Sequence, residues 1–481
     1  MAQPPRPKKP ASTRPPRKST RPALPTVETT IERLDDDGVG IGPYAGKELL
    51  VPGAFPGEKI RAALEHEGQR RSVGLLREVL VRHPERISGP CRCAGDCLGC
   101  PLINLAYPAQ LQIKADRVRA ALAAREGLAA VPVRSPWGAE QPFGYRTNAK
   151  LVLAKERGKV SVGLYRRGSH QVVDIGNCPL HHPLINRIVA SVRSEIERQQ
   201  VWVWDPKRQR GLLRYLLVRV SPGSGKAMLT FVTTEKDFTQ LTRLAKALKV
   251  KHPEIISVQQ NINPTAGNVI FGRETLRMIG APDLLDQLGE IRLRIAPTAF
   301  FQVNHEQAAR IYALVRQWAA LKREESAVDL YCGIGGIALH LARDAGRVIG
   351  IEVVEEAVRN ARENARHNGF GNCSFRAGEA EELVHDLTLE IAPGSVAVVN
   401  PPRSGCEAAV LKALAELKPR LLVYVSCNPE TLARDLELLA VHGYRTEEVQ
   451  PVDMFPQTGH IESVARLIPD PRGKRPKARR S

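Results

Sequence analysis

The sequence predicts an α/β protein whose C-terminal part is a doubly wound parallel sheet, preceded by a small β barrel and a mixed α+β segment. Three observations carry this reading. Across residues 291–470, short apolar runs alternate with helical stretches. Across 25–82, close-spaced alternating runs are split by turn residues, the pattern of a small barrel. Between them, 83–290 opens on a cysteine cluster and mixes one helical pattern with strand-like runs. A length of 481 residues fits about three such units.

Composition narrows the function. The net charge of +19 points to a polyanionic partner, nucleic acid first. A hydrophobic share of 43% is enough for buried cores. No apolar run is long enough to span a bilayer, and Met1 to Thr20 are rich in Pro, Lys and Arg without an apolar stretch. A cytosolic protein without membrane contact is therefore expected. Thiols stay reduced there, so the nine cysteines are expected to be buried, metal-binding or catalytic rather than paired.

Taken in order, residues 1–24 carry Arg6, Lys8, Lys9, Arg14, Arg17, Lys18 and Arg21 among prolines and no acid, which predicts a disordered basic arm. Residues 471–481 mirror it with Arg472, Lys474, Arg475, Lys477, Arg479 and Arg480. The barrel strands are expected at Val27–Leu34, Lys47–Val51, Glu58–Leu64 and Arg71–Val81, divided at Asp37-Gly38, Gly53 and Pro56-Gly57. In the middle segment a helix is expected over Pro108–Arg125 and strands over Ala149–Ala154, Val160–Tyr165, Leu212–Val220 and Ala227–Thr233. The parallel sheet is expected from Ala327–Leu330, Val348–Ile351, Val396–Val399 and Leu421–Val425.

Four constellations can carry chemistry. Asp329-Leu330-Tyr331-Cys332-Gly333-Ile334-Gly335-Gly336 follows a strand, where glycines permit a sharp turn and close approach of a ligand to the backbone. Glu352 ends the next strand, where an acid can hold ribose hydroxyls. A nucleoside cofactor fits; because Gly333 to Ala338 also match G-x-G-x-x-[GA], a nicotinamide dinucleotide fits equally at this point, and packing glycines are the plain alternative. Second, Ser426-Cys427-Asn428-Pro429 ends an apolar strand, with Asn428 placed to cap a helix that starts at Pro429. Cys427 then sits where open α/β sheets bind ligands and where a helix dipole favours thiolate, although a lone cysteine beside a strand is more often packing. Third, Asn400-Pro401-Pro402-Arg403 follows another strand and can set a side chain and a carbonyl against a flat substrate, or be a plain loop. Fourth, Cys91, Cys97 and Cys100 suggest a metal centre; zinc and a [4Fe-4S] cluster both want a fourth ligand, and Cys93 is near while Cys178 is the distant candidate.

Together these residues resemble the bacterial uracil-C5 RNA methyltransferases, specifically the iron–sulfur branch that acts on 23S ribosomal RNA. The resemblance runs from about residue 27 to residue 468. It implies a Rossmann-like domain dependent on S-adenosylmethionine (SAM) over 291–470, an OB-like TRAM barrel that binds RNA over 25–82, and an iron–sulfur domain over 83–290. It implies Cys91, Cys97, Cys100 and Cys178 as [4Fe-4S] ligands, with Cys93 extra. It implies Gln302, Tyr331, Gly333, Gly335, Gly336, Glu352, Glu379 and Asn400 at the cofactor, Cys427 as nucleophile, and Glu462, in the closing run Asp453 to Glu462, as base. Asn400 departs from the family's aspartate: an amide keeps the acceptor oxygen and loses the charge.

The implied chemistry is consistent. Carbon 5 of uracil is a poor nucleophile until a thiolate adds to carbon 6, and a base must later remove the carbon-5 proton. A stacked uridine cannot be reached from both faces, so a single-stranded or flipped nucleotide is expected. The expected partner is RNA and the expected state a monomer. The alternatives are the same reaction on transfer RNA, an RNA-binding relative without catalysis, and a dinucleotide oxidoreductase.

Overall fold

The computed structural model describes residues 24–471, apart from 98, 157, 167–168, 237–238, 266, 268, 388–389 and 392–393. The two basic arms expected from sequence lie outside the described residues.

The first folded unit is a six-stranded sheet of Thr26–Thr30, Arg33–Leu34, Gly40–Tyr44, Lys47–Val51, Lys59–Glu67 and Arg71–Val81. The run expected as one strand over 27–34 is broken into two, because Ile31 turns inward to the core with Leu49, Val51, Ile60 and Leu64. Gly40–Tyr44, not expected from sequence, completes the sheet. The sheet curls far enough for Thr29 Oγ1 to donate to Pro43 O at 2.8 Å, joining strands that are not neighbours in the ladder. Glu58, fully buried, accepts from Arg86 Nε at 2.5 Å and from the backbone N–H of Phe55 and His83, which ties the barrel to the start of the next segment.

The middle segment forms a seven-stranded sheet in the order Glu274–Gly280, Ile255–Ile262, Lys226–Thr233, Leu213–Ser221, Asn148–Glu156, Lys159–Tyr165, Val172–Asp174. The helices Pro183–Gln199 and Thr239–Lys251 bury their apolar faces with this sheet in a single core. The helix Tyr107–Ala123 belongs to this segment by sequence but not by packing. Its Val118 and Leu122 join the core of the C-terminal sheet with Leu330, Leu432 and Leu436.

The C-terminal sheet runs Cys373–Ala377, Arg347–Glu352, Ser326–Leu330, Val396–Val399, Leu421–Ser426, Glu462–Pro469, Tyr444–Val452. The first five are parallel, as the strand–helix rhythm predicts. The last two are antiparallel, which the expectation of a wholly parallel sheet missed. The physical reason is the connection: only the short loop 453–461 joins them, too little chain for a crossover helix. Because Glu462–Pro469 runs against Leu421–Ser426, with Ser463 opposite Ser426, its first residue lies beside the other strand's last.

Candidate active site

Five parallel strands bring their carboxyl ends to one edge of the sheet, so Glu379, Glu352, the Tyr331–Gly336 loop, Asn400 and Cys427 are arrayed along that edge. The loop is built by backbone conformation: Tyr331, Gly333 and Gly335 have φ of 61°, 55° and 86°. The three glycines do different work. A Cβ on Gly333 would meet nothing within 4 Å, so this residue faces open space. A Cβ on Gly335 would lie 3.2 Å from Phe375 Cζ, and one on Gly336 2.8 Å from the Tyr312 hydroxyl, so those two let the helix Gly336–Leu341 pack closely. Gly333 N donates to Glu352 Oε2 at 3.0 Å and Val354 N to Glu352 Oε1 at 2.9 Å. That fixes the carboxylate at the mouth of the loop with lone pairs to spare for ribose hydroxyls. The Tyr331 ring packs on the core beneath the loop, and its hydroxyl reaches Cys406.

Gln302 is half-buried in a segment that bridges two sheets: Val303 O accepts from Thr147 N at 2.9 Å, and Asn304 caps the helix His305–Ala319. Glu379 is exposed at the start of the helix Ala380–Asp386. Asn400 is half-buried; its N–H donates to Leu330 O at 3.3 Å, and its side chain has no hydrogen bond to any described residue. Asp329, fully buried below the loop, accepts from Ala338 N at 2.9 Å, and burial pushes its carboxyl up to about 8.

Cys427 is half-buried at the turn from strand to helix. Asn428 Oδ1 caps the helix Pro429–Val441 by accepting from Glu430 N at 3.0 Å. The sequence predicts a thiol lowered by the helix dipole. In the structure burial, and next the charge of Glu462, push the thiol up, while Arg403 pulls it back down. Glu462 is 4% exposed, and its desolvated carboxyl is raised to about 7, with Arg403 opposing. Arg403 thus faces Cys427 and Glu462 together. Its carbonyl accepts from Asn428 Nδ2 at 3.3 Å, and its Nη2 lies 3.2 Å from Nε2 of His460, whose imidazole burial lowers to about 4 and keeps neutral. Sequence reading quoted Arg403 in a motif and gave it no role; its place one turn after a strand at the same sheet edge was the available signal.

The loop carrying Glu462 is clamped from outside the sheet. Lys114 Nζ donates to Asp453 Oδ1 at 2.6 Å, the Tyr107 hydroxyl to Asp453 Oδ2 at 3.0 Å, and Gln110 and Gln457 exchange two bonds of 2.9 and 3.0 Å. Leu102 N donates to Gln457 O at 3.1 Å, and the Tyr145 hydroxyl to Pro456 O at 3.0 Å. From the barrel, Gly38 packs so tightly on Gly459 that a Cβ there would come 2.5 Å from Gly38 N.

Cys91, Cys93, Cys97, Cys100 and Cys178 line one cavity of about 50 Å³ with Ile103, Ile175 and Leu180. Burial pushes the thiols of Cys97, Cys100 and Cys178 up. Backbone N–H groups of Gly99, Leu180 and His181 oppose it at Cys97 and Cys178. Among the described residues, no three His, Cys, Asp or Glu side chains stand at the spacing that holds a metal ion.

With this geometry in view, comparison with known proteins is decisive. The family model for tRNA (Uracil-5-)-methyltransferase matches residues 106–468. The chain belongs to that family. An RNA methyltransferase of Geobacter sulfurreducens is 47% identical over 443 residues, 92% of this chain and 90% of the relative. One from Halalkalibacterium halodurans is 37% identical over 441 residues, covering 92% and 96%. Both are named as uncharacterized RNA methyltransferases. Among solved structures, the Pyrococcus abyssi tRNA (uracil-54, C5)-methyltransferase in complex with S-adenosyl-L-homocysteine matches with a TM-score of 0.74 and 28% identity, over 92% of this chain and 99% of that one. This chain is accordingly a SAM-dependent RNA methyltransferase acting at carbon 5 of uracil. The matched region starts at the helix Tyr107–Ala123, the same place where packing joins the chain to the C-terminal sheet. No helix among the described residues is long and apolar enough to cross a membrane.

Proposed function

We propose that this family member methylates a uridine of 23S ribosomal RNA through a covalent adduct on Cys427, with Glu462 as the base. The observation that carries the mechanism is the meeting of a half-buried thiol, an acid raised to about 7 and one guanidinium at a single sheet edge. SAM, held by Gln302, Tyr331, Gly333, Glu352, Glu379 and Asn400, supplies an electrophilic methyl, with Gly335 and Gly336 shaping the loop. Cys427 Sγ would add to carbon 6, the pair of the 5,6 double bond moving to carbon 5; carbon 5 would take the methyl as the methyl–sulfonium bond breaks, that pair staying on sulfur. Glu462 removes the carbon-5 proton; that C–H pair rebuilds the double bond and expels the thiolate. Arg403 stabilises the thiolate at both ends of the cycle.

The cysteine cavity supports the ribosomal branch. Four thiols, Cys91, Cys97, Cys100 and Cys178, line one cavity from two chain segments, the number of ligands a [4Fe-4S] cluster takes. Such a [4Fe-4S] cluster would tie the 91–100 loop to the central sheet, and through Leu102 and Gln457 to the loop that ends in Glu462. The curled sheet of 25–82 acts in this reading as a TRAM barrel holding RNA, 83–290 as the iron–sulfur segment, and 291–470 as the catalytic domain. Transfer RNA is the second reading, favoured by the extent of the match to the Pyrococcus abyssi enzyme.

The deciding experiment maps 5-methyluridine in ribosomal and transfer RNA from cells lacking the gene. Loss of one 23S site is expected; loss in transfer RNA alone transfers the function to the second reading. Cys427→Ala should bind SAM and yield no methylated RNA, and measurable turnover by it removes the nucleophile assignment. Anaerobically purified protein should contain about four irons; stoichiometric zinc without iron overturns the cluster.

A further inference from the structure

A hairpin with an exposed turn precedes the strand Leu213–Ser221. Residues 202–214 contain Lys207, Arg208, Arg210 and Arg214 against the single acid Asp205, a net charge of +3. The turn is built: Asp205 Oδ1 accepts from Lys207 N at 2.9 Å and Arg208 N at 3.2 Å, and Trp204 N donates to Leu213 O at 2.8 Å. Gly211 has a φ of 127°, and a Cβ there would lie 2.4 Å from Val203 O.

On this frame Trp202 is 66% exposed beside the buried Val201, and Lys207, Arg208 and Arg210 are exposed. Arg214 is buried, with its guanidinium 5.7 Å from the Trp204 ring centroid. It is held by the carbonyls of Asn263 and Thr265, and among the described residues no acid forms an ion pair with it. A single exposed aromatic is ordinary on a protein surface. An exposed indole beside three exposed cations, of which Arg208 pairs with Asp205 at 3.7 Å, and with a fourth beneath, is the combination that single-stranded nucleic acid uses, a stacking face beside phosphate contacts.

We infer that the 202–214 hairpin docks single-stranded RNA flanking the target uridine, with Trp202 stacked on a base and Lys207, Arg208 and Arg210 on phosphates. The strand that follows leads to the active site. Six residues on, about 20 Å at the usual rise, Arg219 donates to Ala296 O at 3.1 Å and Ala299 O at 2.7 Å, immediately before Phe300 and Gln302. This inference rests on the RNA substrate assigned above and adds a contact surface outside the cofactor edge.

The test uses the full chain, a fluorescein-labelled 20-nucleotide oligouridylate and anisotropy across a potassium chloride series. Trp202→Ala should weaken binding about 5- to 100-fold, one base stack, at unchanged salt slope. Combined Lys207→Gln, Arg208→Gln and Arg210→Gln should lower the slope of log K against log salt by about 2. SAM affinity should stay at the native value in both, which shows that they fold. Native-like oligouridylate affinity and slope in both variants would overturn the docking surface. Binding is read without turnover, so native protein that binds oligouridylate but methylates neither RNA class overturns the proposed reaction and leaves this surface standing.

Discussion

Asp453 and Glu462 open and close one ten-residue run, and both are buried, at 0% and 4% exposure. Yet they sit in opposite surroundings. Asp453 is saturated by Lys114 Nζ, the Tyr107 hydroxyl and the Phe455 N–H. Among the described residues Glu462 has no comparable set of donors: burial raises it to about 7, and Arg403 opposes. A buried carboxylate with its partners in place is an anchor, and its value is the geometry it fixes. A buried carboxyl left without them is poised to exchange a proton near neutral pH. The first holds the loop so that the second stays beside Cys427.

Substitutions at the two ends separate anchor from base. Glu462→Gln should leave stability near native and reduce turnover by about 10²- to 10⁴-fold. The adduct then persists, so a protein–RNA band resistant to denaturing gels should accumulate; native turnover with no such band would assign the base elsewhere. Lys114→Met should act first on stability. It strands a buried charge on Asp453, at a cost of about 3–5 kcal/mol read from urea unfolding. Adding Asp453→Asn should recover part of that loss, and no recovery would mean that Lys114 matters by packing alone.

The pH profile sharpens the contrast. A base must be ionised, so kcat should rise with pH through about 7 as Glu462 loses its proton and releases the adduct. Single-turnover methyl transfer, which precedes proton removal, should rise only as the Cys427 thiol ionises, in the native protein and in Glu462→Gln alike. For stability the sign is opposite to that of an ordinary salt-bridged acid. The folded state holds the Glu462 proton above the unfolded carboxyl range, so its contribution is present at low pH and fades as pH climbs through about 7. The smallest effect is expected at Asn400. A neutral oxygen still accepts a hydrogen bond, so Asn400→Asp should change kcat/KM by about tenfold or less. Activity present only in the aspartate variant would mark the native chain as a non-catalytic relative.

Much of the catalytic edge was legible because it is local. Asn428 and Pro429 start a helix through contacts within three residues, and Gly333 announces a turn whatever surrounds it. Four of the five parallel strands declare themselves by apolar runs between helices; Cys373–Ala377, whose run is mixed, does not. Gly335 and Gly336 were legible as a motif but not in purpose, since only the positions of Phe375 and Tyr312 show that they serve packing. The sign of the Cys427 shift was misjudged for a related reason: helix position is written in sequence, whereas desolvation and the nearness of Glu462 are not.

The sequence by itself determined the place of Cys427 at a strand end, the glycine loop and the strand–helix rhythm of the parallel sheet. Tertiary structure alone decided that Glu462 reaches Cys427, because an antiparallel strand brings its first residue to its neighbour's last. It alone decided that the helix Tyr107–Ala123 serves the catalytic domain, through Lys114 and Asp453, which lie 339 positions apart. Strand direction, desolvation and long-range ion pairs depend on which surfaces meet after collapse. No window of the chain contains both partners, so no local pattern can announce them.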